Sequence, residues 1–331
     1  MSSHSGYFQQ YSRMTKKIAV LFDLDDTLLG NNMDNFLPGY LNALSQAVPE
    51  VSSNKLITTL LAGTRKMLTK TMPENTLEEV FNDYFYPGIG VSKDKLENKI
   101  AAFYKYDFPS LKSLTQTKNE SLNIVAQIKK RGHSITIATN PLFPSAAQYH
   151  RVEWAGFNNT NGIFDDVTSF ENYHFCKPYP EYYSEIILKN GYSNMPVVMI
   201  GNSYSDDILP AEKLGISTYW ITANEQKQHQ QGEFSTAGNL SGVLDWLDSI
   251  ENKISPIQWN NSLENSITML KTTPAIFESF YAKYPQTQLM DKPNKSEWSV
   301  FDTLRHVLEG DKQLNIARIR QFFNETKVSS Q

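Results

Sequence analysis

A chain of 331 residues exceeds the usual size of one folding unit, so two or three units are expected, each large enough to bury a core. The hydrophobic fraction of 40% is that of an ordinary globular protein, and a formal net charge of -4 argues against an extended surface for nucleic acid or anionic lipid. A single cysteine, Cys176, excludes a disulfide framework or thiolate metal cluster within the chain, which suits a reducing cytoplasm and leaves oxygen or imidazole to hold any metal.

Residues 1–15 read as a flexible polar tail, rich in Ser, Gln and Tyr, without the basic and then apolar pattern of a secretory leader. No apolar run approaches the length of a membrane span. Ile18-Ala19-Val20-Leu21-Phe22 is a short continuous apolar run of the kind that forms a strand buried on both faces. Helical spacing then recurs over Phe36 to Ala47, Lys55 to Leu68, Leu77 to Tyr86 and Lys93 to Tyr104, with breaks at Pro49, Pro73 and Pro87-Gly88. This stretch is too long for one crossover between strands, so it predicts a helical cap over residues 31–117.

Further strand-like runs follow at Ile135 to Ala138, Val197 to Ile200 and Ser217 to Ile221. Helical patterns accompany them at Asn123 to Lys130, Ala146 to Trp154, Glu181 to Leu188 and Asp207 to Leu214. Alternation of this kind predicts an α/β fold with a Rossmann-like, doubly wound parallel sheet formed by residues 16–30 and 118–252. Polar residues after each strand would gather at the carboxyl edge, where such sheets bind ligands. Asn224 to Gly232, Gln-rich and containing His229, is expected to be a surface loop, and Leu244 to Leu247 a closing helix. Ser255-Pro256 then punctuates the chain, and 256–331 is predicted as a helical C-terminal segment. Its long amphipathic patterns run from Leu263 to Tyr284 and from Val300 to Phe323, the second with Ser299 as N-cap and Asp302 in an acidic capping box.

Asp23 and Asp25 stand at i and i+2 directly after the first strand, with Thr27 two residues on. Acids there are costly unless paired or bound to a cation. A metal-associated carboxylate can attack phosphorus, and a second, metal-free acid can protonate the leaving oxygen. The plainer alternative is an acidic strand-to-loop turn.

Three further pieces follow in chain order: Thr139-Asn140, Lys177-Pro178 and Gly201-Asn202-Ser203-Tyr204-Ser205-Asp206-Asp207. Together with Asp23-Leu24-Asp25-Asp26-Thr27 they resemble the four motifs of the haloacid dehalogenase superfamily, over about Lys16 to Asn252, in the subclass with a helical cap between the first two motifs. The resemblance implies a Mg2+-dependent phosphohydrolase acting on a small phosphomonoester. Asp23 would be the nucleophile that becomes an aspartyl phosphate, and Asp25 the general acid and then base. Thr139, Asn140 and Lys177 would hold the phosphoryl group. Mg2+ would be bound by Asp23, the backbone carbonyl of Asp25, Asn202 and Asp207, with Asp206 as a fallback. Asp26 and Thr27 would shape the turn.

The family's usual Gly-Asp in the fourth motif is Gly201-Asn202 here, which removes a negative charge and gives Asp207 a larger expected share of the metal. In the dehalogenase branch the position of Asp25 is not a carboxylate, so phosphate chemistry is expected instead of carbon–halogen cleavage. A phosphomutase, and a non-catalytic binding or regulatory protein on the same fold, are the competing readings.

His133 and His150 read as structural, and His174 is near enough to the third motif to reach a substrate. Arg65, Lys66 and Lys70 form a basic cluster on a cap helix, either facing solvent or contacting an anionic substrate. Trp298-Ser299-Val300, His306 and Glu309 are similar to the first half of DinB-like helical bundles, in which a comparable His is one of three metal ligands. No His follows His306, so the segment resembles a truncated module suited to packing on the core or to contacting a partner protein. An accessory helical hairpin is the alternative.

Overall fold

Central strands buried on both faces set the architecture. In the computed structural model, which describes residues 17–158, 162–223, 232–259, 262–294 and 296–310, Ile18, Val20 and Phe22 enter one apolar cluster while Ala19 and Leu21 enter another. Val198 and Ile200 against Val197 and Met199 repeat the division. A sheet with two apolar faces must be covered on both sides, and helices do so.

The strands are β1 (Ala19–Phe22), β2 (Leu29–Asn31), β3 (Thr115–Thr117), β4 (Ser134–Ile137), β5 (Asp166–Val167), β6 (Val197–Gly201), β7 (Ser217–Ile221) and β8 (Thr236–Gly238). Six of them form one sheet in the order β5-β4-β1-β6-β7-β8, parallel throughout. β1 is central: Phe22 lies in register with Ile137 on one side and Ile200 on the other, so the residues after β1, β4 and β6 emerge together. The four strands expected from apolar runs appear within about a residue of their predicted limits. β5, two residues long, and β8, Thr-Ala-Gly, carry no apolar run that would announce them.

Between β2 and β3, which pair antiparallel as a two-stranded ribbon, the chain is helical: α1 (Met33–Ala47), α2 (Ser53–Leu68), α3 (Leu77–Ile89) and α4 (Lys93–Ala102). Thr76 opens α3 with a full capping box to Glu79. The expected break at Pro87-Gly88 does not occur there. Pro87 falls in the last turn, where its missing N–H costs a single bond, and α3 ends at Gly90, whose φ of 75° forms the left-handed cap and whose N–H reaches the carbonyls of Tyr86 and Pro87. α4 stops two residues before Tyr104 and gives way to a π turn over Phe103–Asp107 and a 3-10 turn over Phe108–Leu114. These turns seat Phe103, Tyr104 and Phe108 in an aromatic group with Phe36 and Tyr40.

The sheet is flanked by α5 (Asn119–Lys130), α6 (Ser145–Trp154), α7 (Pro180–Lys189), α8 (Leu209–Lys213) and α9 (Val243–Ile250). The predicted helix over Asp207 to Leu214 is in fact a π turn, Tyr204–Ile208, followed by α8. α10 (Leu263–Tyr281) starts in the first of two compact units, residues 1–276, where Thr272 donates to Ser184 at 2.9 Å and Lys271 pairs with Glu181 at 2.9 Å. The second unit, 277–331, contains α11 (Gln286–Met290) and α12 (Val300–Gly310). Ser299 caps α12: its hydroxyl accepts the Asp302 N–H at 3.0 Å, and the Asp302 carboxylate accepts the Ser299 N–H at 3.3 Å. The tail at 1–15, the Gln-rich stretch up to residue 231 and the part of the pattern expected to be helical from 311 to 323 lie outside the described residues. No described helix is long and apolar enough to cross a membrane.

Candidate active site

Asp23 follows β1 and is tied to the sheet by its N–H, which donates to the Ile200 carbonyl at 2.9 Å. The chain then turns sharply. The Leu24 carbonyl accepts the N–H groups of Leu28 and Leu29 at 2.9 Å, and Asp26 has a φ of 54°, which a short acid tolerates when its side chain bonds locally. That carboxylate accepts the Asn31 N–H at 3.0 Å, and Lys118 donates to the carbonyls of Asp26 and Thr27. Asp26 and Thr27 therefore build the turn that presents Asp23 and Asp25.

Lys177 lies at the centre of the site, fully buried, with Nζ 2.7 Å from Asp23 Oδ1 and 2.6 Å from Asp207 Oδ1. Asp207 is fixed from behind by the Ser203 N–H, which donates to Oδ2 at 2.9 Å. Gly201 makes this possible, since a Cβ there would collide with the Asp207 carboxylate. Burial penalises the Lys177 charge, but Asp207 and Asp23 more than offset it and hold its pKa well above the ordinary lysine value. Asp23 shows the opposite balance. Burial is the main cause of a pKa pushed up to about 7, with Lys177 opposing the rise and Asp207 and Asp25 adding to it.

Thr139 follows β4 and is buried, its carbonyl accepting hydrogen bonds from Tyr182 at 2.8 Å and Thr168 at 2.5 Å. Asn140 comes next, and its buried side-chain oxygen has no hydrogen-bond partner among the described residues. Asn202 follows β6; its carbonyl accepts Trp220 Nε1 at 2.9 Å, and its side-chain oxygen accepts the Thr27 hydroxyl at 3.4 Å. Asp206 accepts the Ser203 hydroxyl at 3.0 Å. Asp23, Asp25, Thr139, Asn140, Lys177, Asn202, Asp206 and Asp207 all line one cavity of about 260 Å³ at the carboxyl edge of the sheet.

Two contacts of Asp25 were not foreseen. Asn31 Nδ2 donates to Asp25 Oδ1 at 2.8 Å, and the guanidinium of Arg151, on α6, bonds Asp25 Oδ2. Arg151 is only 2% exposed; it also donates to Gln148 Oε1 at 2.7 Å and lies 5.2 Å from the centre of the Phe143 ring. A trace of this was present in the sequence: Gln148 and Arg151 fall on the same stripe of α6 as Ala147 and Val152, and a cation on an apolar stripe demands a partner acid.

His133, His150 and His174 do not line the site cavity. His174 is buried and bonds Glu185 at 2.7 Å, and the same carboxylate accepts its backbone N–H. His133 accepts the Ile18 N–H at 3.3 Å, and burial lowers its pKa. His150 pairs with Glu153 at 3.3 Å. Arg65, Lys66 and Lys70 do not line the cavity either; Lys70 donates to the His174 carbonyl at 3.1 Å.

Among the described residues no three His, Cys, Asp or Glu side chains are grouped to hold a metal ion. The donors at hand are the Asp23 carboxylate, the Asp25 carbonyl and the Asn202 amide oxygen, a hard oxygen set of the kind Mg2+ accepts when water and phosphate complete its shell. An acid held up to about 7 by burial despite a bonded lysine also marks a place short of positive charge, so the residues fit the ion.

Residues 20–221 match the family model described as haloacid dehalogenase-like hydrolase. The glyceraldehyde 3-phosphate phosphatase of Methanocaldococcus jannaschii is 22% identical over 243 residues, 70% of this chain and 97% of the relative. Among solved structures, a HAD phosphatase from Thermococcus onnurineus aligns at 17% identity over 69% of this chain and 97% of its own, with a TM-score of 0.44. A 2-haloacid dehalogenase from Pseudomonas syringae pv. Tomato DC3000 aligns at 19% identity over 71% and 99%, with a TM-score of 0.49. The matched span takes in every residue of the site cavity from Asp23 to Asp207, and the chain is an enzyme that belongs to the haloacid dehalogenase-like hydrolase family.

Proposed function

We propose that this enzyme is a Mg2+-dependent phosphohydrolase that acts on phosphomonoesters through an aspartyl phosphate on Asp23. The observation that carries this reading is the Asp23–Lys177–Asp207 arrangement: a buried ammonium beside a carboxylate, with Thr139 and Asn140 lining the same cavity. The Methanocaldococcus relative, a phosphatase by name, supports phosphate chemistry, and the carboxylate of Asp25 supports it over carbon–halogen cleavage.

In this mechanism an Asp23 oxygen attacks phosphorus and the ester P–O bond breaks, while Asp25 passes a proton to the departing alkoxide. Asp25 then takes a proton from a water molecule whose oxygen attacks the same phosphorus, the bond to Asp23 breaks, and inorganic phosphate leaves. Lys177, the Thr139 hydroxyl and the Asn140 side chain hold the phosphoryl oxygens. When bound by Asp23, the Asp25 carbonyl and Asn202, Mg2+ supplies the positive charge that keeps Asp23 ionised and moderates its repulsion of the phosphate. Both Asp207 oxygens already accept hydrogen bonds, so its share in metal binding is indirect, through water, with Asp206 as the alternative acid. The buried Cys176 suits a cytoplasmic enzyme. We assign contact with a partner protein to the C-terminal helical segment, where Leu263, Leu270 and Trp298 are exposed.

The test is a peptide map of enzyme quenched during turnover of an aryl phosphate with Mg2+: the peptide bearing Asp23 gains one phosphoryl mass. Phosphate release without label at Asp23 overturns the assignment. Asn202→Asp is expected to tighten Mg2+ roughly tenfold by calorimetry, since it adds a full charge to the donor set, and Asp207→Asn to weaken it by a similar factor and lower turnover. Unchanged Mg2+ affinity in Asp207→Asn removes Asp207 from the metal assignment. Arg151→Met is expected to lower kcat by about tenfold or more by freeing Asp25 from its orientation, with partial recovery in Arg151→Lys. An unaltered kcat would show that Arg151 has no positioning role.

A further inference from the structure

We infer that the phosphomonoester carries an apolar leaving group, an extended alkyl, isoprenoid or aryl alcohol, seated in a second cavity beside the phosphate site; this rests on the phosphohydrolase reading. That cavity, of about 730 Å³, lies between the helices of the 31–117 segment and the loop after β4. Met33, Leu142 and Phe143 line both cavities, which places the second directly beside the phosphate site, within reach of a group bonded to phosphorus. Its volume is in the range of sites that enclose a whole small molecule.

The walls are apolar, with Leu37, Leu60, Phe81, Ile100 and Phe170 the principal side chains. Several of the polar groups among them, though not the half-buried Tyr86, are engaged by protein partners among the described residues. The Tyr40 and Tyr104 hydroxyls bond each other at 2.8 Å, and the Thr64 hydroxyl donates to the Leu60 carbonyl at 3.0 Å. Glu78 accepts from Asn82 at 3.2 Å and pairs with Lys93 at 3.4 Å. Glu171 accepts both the N–H and the hydroxyl of Ser145, and His150 pairs with Glu153. Glu97 and Lys105 are exposed to water. A sugar or another polyol would give up hydration for its hydroxyls and find few groups to bond, whereas each methylene placed there leaves water for an apolar surface. A three-carbon polar ester would leave most of the volume unfilled.

The reaction itself is unchanged. Water contributes oxygen to phosphorus, and the apolar alcohol leaves with the proton from Asp25. Full-length enzyme with Mg2+ is assayed on straight-chain alkyl phosphates from ethyl to octyl, with glycerol 3-phosphate and glyceraldehyde 3-phosphate for comparison. kcat/KM is expected to rise about threefold to fourfold per methylene until the cavity is full, leaving both polar esters well below octyl phosphate. Ala101→Trp, at an exposed position on α4 that lines the cavity, is expected to cut the octyl-to-ethyl ratio of kcat/KM by at least about tenfold. Phosphate release from the polar esters with a flat or falling chain-length series, or an unchanged ratio in Ala101→Trp, overturns the apolar leaving group and leaves the phosphohydrolase reading intact. No phosphate release from any ester and no phosphoryl mass on Asp23 overturns both.

Discussion

Asp23→Asn is expected to reduce Mg2+-supported phosphate release by at least about 10⁴-fold, because an amide oxygen is a poor nucleophile and, among the described residues, no other carboxylate pairs with Lys177 from the β1 side. The fold should not suffer. Burial makes the Asp23 charge costly, and Lys177 keeps Asp207 as its partner in the variant. The pH dependence supplies a separate check, made with a chelator present. Unfolded chains release the Asp23 proton near 3.8, while the folded protein keeps it to about 7. The contribution of this group is therefore fully present below 3.8 and is lost as pH rises through about 7. Wild type should lose stability across that window, and Asp23→Asn should lack that component, with a melting temperature at pH 8 no lower than wild type. Residual turnover above about a hundredth of wild type would remove Asp23 from the nucleophile's role.

Lys177→Met should damage fold and activity together. The ammonium has Asp23 on one side and Asp207 on the other, and its loss leaves two buried carboxylates facing each other without a cation. Removing one partner of a buried pair costs about 3–5 kcal/mol, which in a chain of this size lowers the melting temperature by roughly 6 °C or more. Lys177 is one of the groups that hold the Asp23 pKa down, so without it Asp23 keeps its proton to still higher pH. The deficit should accordingly be larger at pH 8 than at pH 5. Thermal unfolding at the two pH values measures this directly, and equal losses would show that electrostatics at Asp23 is not the cause. Turnover should fall by about 10³-fold, with the charge on the attacked phosphoryl group no longer offset.

Much of the sheet was legible because buried parallel strands leave continuous apolar runs: β1, β4, β6 and β7 are visible as Ile18 to Phe22, Ile135 to Ala138, Val197 to Ile200 and Ser217 to Ile221. β5 and β8 were not, since two or three residues with mixed burial carry no period. The candidate site residues could be picked out because four short motifs in order resemble those of one family, and the fold brings all of them to one cavity. Arg151 escaped because its partner is 126 residues away, and a pairing of that kind belongs to the tertiary fold instead of the local pattern. The apolar cavity escaped for a similar reason: Leu60, Ile100 and Phe143 look like ordinary core positions until their helices are packed. The early stop assigned to α3 came from treating Pro87 as a breaker, when a proline in a final turn forfeits one bond only.

The β2–β3 ribbon has a consequence for how this chain could be rebuilt. Leu29 pairs with Thr117 and Asn31 with Thr115, so the chain leaves for the helical segment and returns from it at neighbouring points about 5 Å apart. By connectivity alone, residues 32–114 could be cut out and replaced by a tight turn. Packing opposes the excision, because Phe36, Tyr40, Leu56 and Phe103 share one apolar cluster with Val20 and Ile137 of the sheet. A transplanted segment would thus need only a two-residue seam in the backbone, yet it would have to bring its own matching apolar face.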